Sequence, residues 1–204
     1  MLNPADPMDK ISEMTEAPEL SVVIPVFNEA AAVDGVFVEL TAALDILGKT
    51  YEIVFVDDGS TDGTSELLDE IAGRSATTQA LHLRRNFGQT AALMAGFDVS
   101  TGTIVITLDG DGQNDPADIL KLLAELNQGF DVVSGWRKKR RDGLLRSFLS
   151  RVANRLISRI SGVRLRDYGC TLKAYRRSVL EDVRLYGEMH RFIPIYTSWQ
   201  GARV

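Results

Sequence analysis

The sequence has little cysteine and no long apolar run. Its single cysteine, Cys170, excludes an internal disulfide and is typical of a reducing compartment, so we expect a cytoplasmic location. No stretch approaches the ~18 uninterrupted apolar residues that a membrane-spanning helix needs. Residues 1–19 lack the apolar core of a secretory signal and carry five carboxylates, which predicts a flexible acidic tail.

Three common nucleotide-binding or cation-binding loops are also missing. The chain has no Gly-x-x-x-x-Gly-Lys-Ser/Thr sequence, which excludes a P-loop NTPase. The segment Gly110–Gly112 comes nearest to a dinucleotide fingerprint, but Asp115 holds the third glycine position and the aspartates would oppose a bare pyrophosphate. An EF-hand calcium loop that starts at Asp109 is excluded, because Asn114 replaces its glycine and Leu120 replaces its glutamate.

The sequence does contain a pair of carboxylates on a glycine-rich loop. Residues 109–116 read Asp-Gly-Asp-Gly-Gln-Asn-Asp-Pro and directly follow the apolar run Thr103–Leu108. Sheets of α/β proteins bind ligands at the C-terminal ends of their strands. Hard divalent cations take oxygen ligands and often share them with substrate phosphates. Asp109 and Asp111 therefore predict a site for Mg²⁺ or Mn²⁺ together with a diphosphate.

Apolar strand patterns alternate with helical patterns along the first part of the chain. Strands are predicted over residues 20–26, 51–56, 79–83, 104–108 and 130–134. Helices are predicted over residues 30–47, 62–71, 89–97 and 116–126. The nearly continuous apolar strands indicate an α/β fold with a mostly parallel sheet and helices on both faces. With no repeat and no linker, residues 20–204 are predicted to form one domain.

Charge divides this domain near Ser134. Residues 1–135 hold six Lys/Arg and 23 Asp/Glu, a net charge of −17, whereas residues 136–204 hold 17 Lys/Arg and five Asp/Glu, a net charge of +12. The basic part is therefore expected to face an anionic partner. The sequence pI of about 5.1 argues against nucleic acid as that partner.

Four motifs at the predicted strand ends occur in order: Pro25–Glu29, Val56–Thr64, Asn86–Gln89 and Asp109–Asp111. Together they resemble the family 2 inverting glycosyltransferases of GT-A fold. Four later motifs are similar to those of the polyprenyl-phosphate glycosyltransferases: Gly135–Arg137, Ser150–Asn154, Asp167–Arg177 and Arg191–Pro194. That group includes dolichol-phosphate mannose synthases, and the Asp-Tyr-Gly-Cys sequence is closest to its bacterial undecaprenyl-phosphate aminoarabinose transferase branch.

The resemblance implies roles for residues on both sides of the charge boundary. It assigns the nucleotide pocket to the strand ends within residues 20–135: Pro25, Phe27, Glu29, Asp57 and Gly88. It assigns the cation and the donor diphosphate to the following loop: Asp109, Gly110, Asp111 and Gln113, with Asp109, Asp111 and Gln113 as the metal ligands. It assigns the transferring phosphates to Arg137 and Arg151, which complete the catalytic set with Asp109 and Asp111. For Asp58 an alternative stays open, that it caps the following helix with Gly59 and Ser60.

Residues 143–163 have the spacing of an amphipathic helix. An apolar stripe runs through Leu145, Leu149 and Leu156, and arginines at positions 151, 155 and 159 border it. With the basic run Lys138–Arg141, this predicts contact with an anionic membrane surface beside a lipid acceptor. A helix packed on the sheet fits the same pattern equally well. His190, beside Arg191, is expected to face the acceptor, whereas His82 is expected to be structural.

The resemblance thus implies transfer of a sugar from a nucleotide-diphosphate donor to a polyprenyl phosphate. Bacterial relatives usually continue into hydrophobic membrane segments that residues 136–204 do not contain, so we expect peripheral attachment to the cytoplasmic face of the membrane. Two alternatives remain: a family 2 transferase with a glycan or diacylglycerol acceptor, and a non-catalytic membrane-associated remnant.

Overall fold

The computed structural model describes residues 17–136, 154 and 157–204 of the 204-residue chain. The predicted acidic tail lies almost wholly outside these residues. Arg137, the run Lys138–Arg141, Arg151 and most of the predicted helix over 143–163 also lie outside them, so what was predicted for those segments stays a prediction.

The strands of the described residues form one six-stranded sheet with the order β3-β2-β1-β4-β6-β5. Strands β1, β2, β3 and β4 run parallel to their neighbours, whereas β6 runs antiparallel to both β4 and β5. The predicted mostly parallel sheet is confirmed, but β6 was not predicted. The strands are β1 (Leu20–Val26), β2 (Tyr51–Asp57), β3 (Thr78–His82), β4 (Ile104–Thr107), β5 (Val132–Ser134) and β6 (Lys173–Arg176).

Helices connect the parallel strands, as the alternating pattern predicts. They are α1 (Val33–Leu47), α2 (Thr64–Arg74), α3 (Gln89–Val99) and α4 (Ile119–Leu126). A further helix, α5 (Ile193–Trp199), follows β6, and the described residues 157–161 are also helical. The predicted start of α1 at residue 30 was too early, because the backbone amides of Ala32 and Val33 both donate to the carbonyl of Glu29 and close a turn there. No helix in the described ranges is long and apolar enough to cross a membrane.

Helices cover both faces of the sheet, which explains why every residue of β1 is buried. On one face, alternate β1 residues such as Val22 and Ile24 pack with α1, α2 and α4 in a single apolar cluster. On the other face, Val23 packs with α3 and with Ile193 of α5. The fold class is therefore α/β, with helices on both faces of a mostly parallel sheet, as predicted.

The sheet topology brings several segments to one edge. The C-terminal ends of β1, β2 and β4 lie there because these strands are parallel. Strand β6 begins at the same edge, since its first residue, Lys173, pairs with Thr107 at the end of β4 and with Ser134 at the end of β5. Residues just before Lys173 are therefore carried to the ends of the parallel strands.

Candidate active site

A cavity of about 380 Å³ opens at this edge of the sheet. Its lining comes from the end of β1, from the loops after β1, β2, β3 and β4, and from the first residue of α3: Pro25, Val26, Phe27, Glu29, Asp58, Asn86, Gly88, Gln89, Asp109, Gly110 and Asp111. Seven residues that the resemblance assigns to the nucleotide or the cation are thus brought together: Pro25, Phe27, Glu29, Gly88, Asp109, Gly110 and Asp111.

Two of the assigned residues do not line this cavity, and two more lie outside the described residues. Asp57 does not line this cavity and instead borders a second one at the end of β3. Gln113 is exposed, and its backbone N–H donates to Asp111 Oδ1 over 2.9 Å. Arg137 and Arg151 lie outside the described residues.

Asp109 is held by two side chains from distant parts of the chain. Gln89 Nε2 donates to its Oδ1 over 2.8 Å, and Thr171 Oγ1 donates to its Oδ2 over 2.5 Å. Burial raises the pKa of Asp109 and the Asp111 carboxylate raises it further, although the hydrogen bond from Thr171 opposes the change. Both oxygens of Asp109 are therefore fixed in direction before any ligand binds.

The backbone between the two aspartates lies close against β1. A Cβ atom on Gly110 would come within 2.3 Å of Val26 Cγ1, so a side chain there would displace the loop. Glycine at position 110 lets the Asp-Gly-Asp segment rest on the end of β1, and it brings Asp111 close to Glu29. Burial raises the pKa of Glu29, and the charges of Asp111, Asp62 and Asp109 add to the effect.

These oxygens are a suitable donor set for a hard divalent cation, which would relieve the repulsion among them. Asp109 and Asp111 offer carboxylate oxygens at one point of the cavity wall. Within the described ranges, no group of three or more carboxylate, imidazole or thiolate side chains has the geometry to hold a metal ion. Mg²⁺ and Mn²⁺ commonly bind through one or two carboxylates together with substrate phosphates.

The two neighbouring aspartates at the end of β2 have different partners. Asp58 is buried and accepts hydrogen bonds from the backbone amides of Phe87 and Gly88, over 2.7 and 2.8 Å. It therefore shapes the loop that leads into α3 and lines the cavity. The alternative that Asp58 caps the following helix is wrong, since α2 begins after Gly63 without a side-chain cap.

The loop after β1 is fixed by the loop after β2. Asn28 adopts a left-handed backbone conformation (φ 56°), and its Oδ1 accepts from the amide of Thr61 over 2.8 Å. The amide of Glu29 donates to Thr64 Oγ1 over 2.9 Å. Asparagine tolerates this conformation better than most residues. These contacts hold Phe27 and Glu29, on either side of Asn28, at the cavity.

Gln89 and Thr171 are site residues that the sequence did not reveal. Both lie in motifs that carry the resemblance, yet neither motif assigns them a contact. Thr171 reaches Asp109 only because β6 turns back beside β4, and a contact across 62 residues leaves no local pattern. Gln89 is the first residue of α3, directly after Gly88 in the cavity wall.

The two histidines have different surroundings. His82 bridges two carboxylates, with Nδ1 3.1 Å from Asp57 Oδ2 and Nε2 3.0 Å from Asp69 Oδ1. His190 is buried, and its Nδ1 lies 2.8 Å from Thr90 Oγ1. Burial and the nearby Arg191 charge lower the pKa of His190 to about 4. The expectation that His190 faces an acceptor was wrong, because its ring is enclosed against α3.

The family model for glycosyl transferase family 2 matches residues 21–184, which include all strand residues of the sheet except Leu20 and all residues that line the 380 Å³ cavity. The chain belongs to this family. Among curated relatives, a dodecaprenyl-phosphate galacturonate synthase of Rhizobium johnstonii is 44% identical over 97% of the chain and 60% of its own length. An undecaprenyl-phosphate 4-deoxy-4-formamido-L-arabinose transferase of Pseudomonas paraeruginosa is 47% identical over 86% of the chain and 52% of its own length. The chain thus spans little more than half the length of these relatives.

Solved glycosyltransferases share the fold. A mannosyltransferase from Pyrobaculum calidifontis, solved with GDP-Man and Mn²⁺, matches 93% of the chain and 54% of that protein with a TM-score of 0.63 at 20% identity. A glucosyl-3-phosphoglycerate synthase from Mycobacterium tuberculosis, solved with Mn²⁺, UDP and glucosyl-3-phosphoglycerate, matches 88% of the chain and 64% of that protein with a TM-score of 0.62 at 20% identity. The predicted family 2 membership and GT-A type fold are confirmed.

Proposed function

We propose that this family 2 member transfers a sugar from a nucleotide-diphosphate donor to a polyprenyl phosphate, with inversion at the sugar. The observation that carries the proposal is the convergence of Asp109, Asp111 and Glu29 on one cavity at the strand ends. Carboxylates so placed repel an anionic donor unless a cation binds with it. The polyprenyl-phosphate relatives named above support the choice of acceptor.

The donor is proposed to lie in the 380 Å³ cavity with its diphosphate at the Asp109–Asp111 loop. Phe27 is 42% exposed and lines the same cavity, so its ring offers an apolar surface to the nucleoside. Asp109 and Asp111 would hold Mg²⁺ or Mn²⁺, with Gln113 beside them. When bound, the cation offsets the charge that develops on the departing nucleoside diphosphate.

The acceptor phosphate itself supplies the nucleophile for the transfer. One of its oxygens forms a bond to the anomeric carbon while the bond from that carbon to the donor diphosphate breaks, and the electron pair leaves with the nucleoside diphosphate. A phosphate monoester is already anionic at neutral pH, so the step needs no strong general base. It does need positive charge near two approaching phosphates, which Arg137, Arg151 and the run Lys138–Arg141 are proposed to supply.

A lipid acceptor requires the protein to work at a membrane surface. The net charge of +12 over residues 136–204 supports peripheral binding to an anionic bilayer on its cytoplasmic face. Two other readings compete: a glycan or diacylglycerol acceptor, and a domain that has lost turnover. The intact Asp109, Asp111, Gln113 and Arg137 favour a functional site over a decayed one.

Donor binding and transfer can be tested in sequence. The protein is screened by thermal shift with Mn²⁺ against UDP-sugars and GDP-sugars. Donors that carry one of the two bases are expected to raise the melting temperature of the protein. The selected donor is then incubated with a short polyprenyl phosphate, the matching polyprenol as a control, and diacylglycerol, and released nucleoside diphosphate is measured.

Release that depends on the polyprenyl phosphate supports the proposal. Release with diacylglycerol alone would favour the other acceptor. Donor binding without release for any acceptor, or no donor binding at all, would favour a non-catalytic domain.

A further inference from the structure

A third cavity, of about 710 Å³, lies in the basic C-terminal part of the chain. We call it the arginine cavity; its lining includes Asn154, Ser158, Arg159, Arg164, Leu165 and Arg166. No carboxylate is among the described lining residues. Across the described ranges, none of the three arginines forms an ion pair. Three cationic heads therefore meet around one cavity without a carboxylate to balance them.

The local sequence explains why the arginines point outward. Burial alternates from residue 163 to residue 167: Val163 is buried, Arg164 exposed, Leu165 half-buried and Arg166 exposed. Val163 forms a small apolar cluster with Tyr168 and other residues, and Leu165 packs against it. Because the apolar residues are turned toward this cluster, the arginines between them stay at the surface.

Hydrogen bonds fix the walls of the arginine cavity. Tyr168 OH donates to the carbonyl of Val163 over 2.5 Å and lies 3.1 Å from Ser158 Oγ, which joins the helical residues 157–161 to the following segment. Asn154 Nδ2 donates to the carbonyl of Arg166 over 3.1 Å. The arginines are thus carried on a backbone whose shape is set before a ligand arrives, which lowers the entropic cost of binding.

Apolar groups flank the cationic ones. The guanidinium carbon of Arg166 lies 4.7 Å from the ring centroid of Trp136, which is 50% exposed. Ile160, next to Arg159, is 78% exposed. A guanidinium stacked on an aromatic ring keeps its N–H edge available to anionic oxygens. Tryptophan rings are also enriched at the level of lipid head groups, so this combination fits a membrane interface better than a soluble anion.

We propose that the arginine cavity binds the phosphate of an anionic phospholipid head group and thereby holds the domain at the bilayer. Trp136 follows β5 at the edge of the sheet that also carries the Asp109–Asp111 loop, so such an anchor would turn the donor cavity toward the membrane. The inference deepens the proposed function by naming a membrane contact, but phosphate binding at this cavity does not depend on sugar transfer.

The test uses the full chain and compares two double variants that each remove two positive charges. Arg164→Ala/Arg166→Ala changes the arginine cavity, and Arg184→Ala/Arg191→Ala removes two exposed arginines outside its lining. Binding is measured by flotation with phosphatidylglycerol–phosphatidylcholine vesicles at low and high salt. The cavity variant is expected to bind at least about tenfold more weakly, since hydrogen bonds to charged groups are individually strong. The control variant is expected to lose much less, and salt or millimolar inorganic phosphate should weaken wild-type binding.

Folding of each variant is checked by its melting temperature and by the donor-induced thermal shift. If the double cavity variant does not fold, the single variant Arg164→Glu replaces it. Equal binding by the cavity variant and wild type overturns the proposal, as does an equal loss in both double variants.

A further vesicle set, phosphatidylcholine with a few per cent polyprenyl phosphate, distinguishes phospholipid from the lipid acceptor as the source of the phosphate. Cavity-dependent binding to this set alone would mean that the cavity takes the acceptor, which also overturns the phospholipid proposal. If the wild-type protein does not bind the sugar donor, that result would contradict the proposed sugar transfer but not the proposed phospholipid site.

Discussion

Thr171 Oγ1 donates a hydrogen bond of 2.5 Å to Asp109 Oδ2, joining residues that are 62 positions apart. The contact exists because β6 runs antiparallel between β4 and β5 and so starts where β4 ends. The other Asp109 oxygen accepts from Gln89 at the start of α3. One carboxylate is therefore oriented by two segments that are distant from its own loop in the sequence, which prepares it to bind a cation in one geometry.

We expect Thr171→Val to weaken cation-dependent nucleotide binding. Valine keeps the shape of threonine but removes the donor to Asp109, and loss of a hydrogen bond to a charged group costs ~1.5–3 kcal/mol. Calorimetric titration of UDP and GDP in the presence of Mn²⁺ should show an affinity about tenfold or more below that of the wild type. Thr171→Ser, which restores the hydroxyl, should recover most of the affinity; a serine variant as weak as the valine variant would contradict this role.

We expect nucleoside diphosphate binding to depend on both the cation and Asp111. Asp111→Asn removes one of two paired charges that a hard cation needs, so affinity in Mn²⁺ should fall toward the value measured for wild-type protein in EDTA. Asp118→Asn is the matched control, because Asp118 follows the same loop but pairs with Lys121 at the surface. The idea fails if wild-type affinity is the same with and without the cation and Asp111→Asn leaves it unchanged.

The predicted strands matched the observed ones because long apolar runs report burial on both faces of a parallel sheet. Strand β6 escaped prediction because its four residues, Lys173–Arg176, begin and end with a cation, although Lys173 and Tyr175 are buried. In the same way, Asp57 and Asp58 are adjacent in one motif, and only the tertiary fold decides that Asp58 lines the donor cavity while Asp57 binds Ser60 and Ser65. Local sequence patterns predict the strands and helices of the fold, whereas the site is formed by contacts between loops that are distant in the sequence.

We expect Asp58→Ala to lower the free energy of unfolding by roughly 2 kcal/mol or more. The change leaves the amides of Phe87 and Gly88 without their carboxylate partner, and the loss of two hydrogen bonds to a charged group is costly. Chemical denaturation measures the effect. The control is Asp98→Ala on the exposed surface of α3, which should change stability much less. Similar losses in both variants would show that the loop does not depend on Asp58.

We expect His190 to make the protein less stable as the pH falls below neutrality. The pKa of His190 is about 4 in the folded chain, against about 6.5 for an ordinary histidine, so the unfolded chain takes up the proton first. This contribution of His190 to the free energy of unfolding is therefore fully present above pH ~6.5. It is lost as the pH falls toward 4, by roughly 3 kcal/mol in total. His190→Gln should lack this component, so its unfolding free energy should fall less steeply over that interval. Parallel curves for the two proteins would contradict the assignment.

His82 should act in the opposite direction. Burial tends to lower the pKa of His82, but hydrogen bonds to Asp57 and Asp69 outweigh it and raise that pKa above the ordinary value. A histidine whose folded pKa is raised stabilises the fold fully below its unfolded pKa of about 6.5, and the contribution disappears as the pH rises through the folded value. The free energy of unfolding lost in His82→Gln should therefore be largest at about pH 6 and shrink toward pH 9.

Salt provides a second check on the same pair of contacts. The His82 side chain is 33% exposed and Asp69 72% exposed, so added salt should screen that contact, whereas the buried Asp57 should be screened less. Asp69→Asn is accordingly expected to reduce the pH dependence only in part, and less so at high salt. Denaturation curves for wild type, His82→Gln and Asp69→Asn between pH 5.5 and 9 make the comparison. A stability difference between wild type and His82→Gln that stays constant over this interval would show that the pKa of His82 is the same in the folded and unfolded chain, so that its two carboxylate contacts do not raise it.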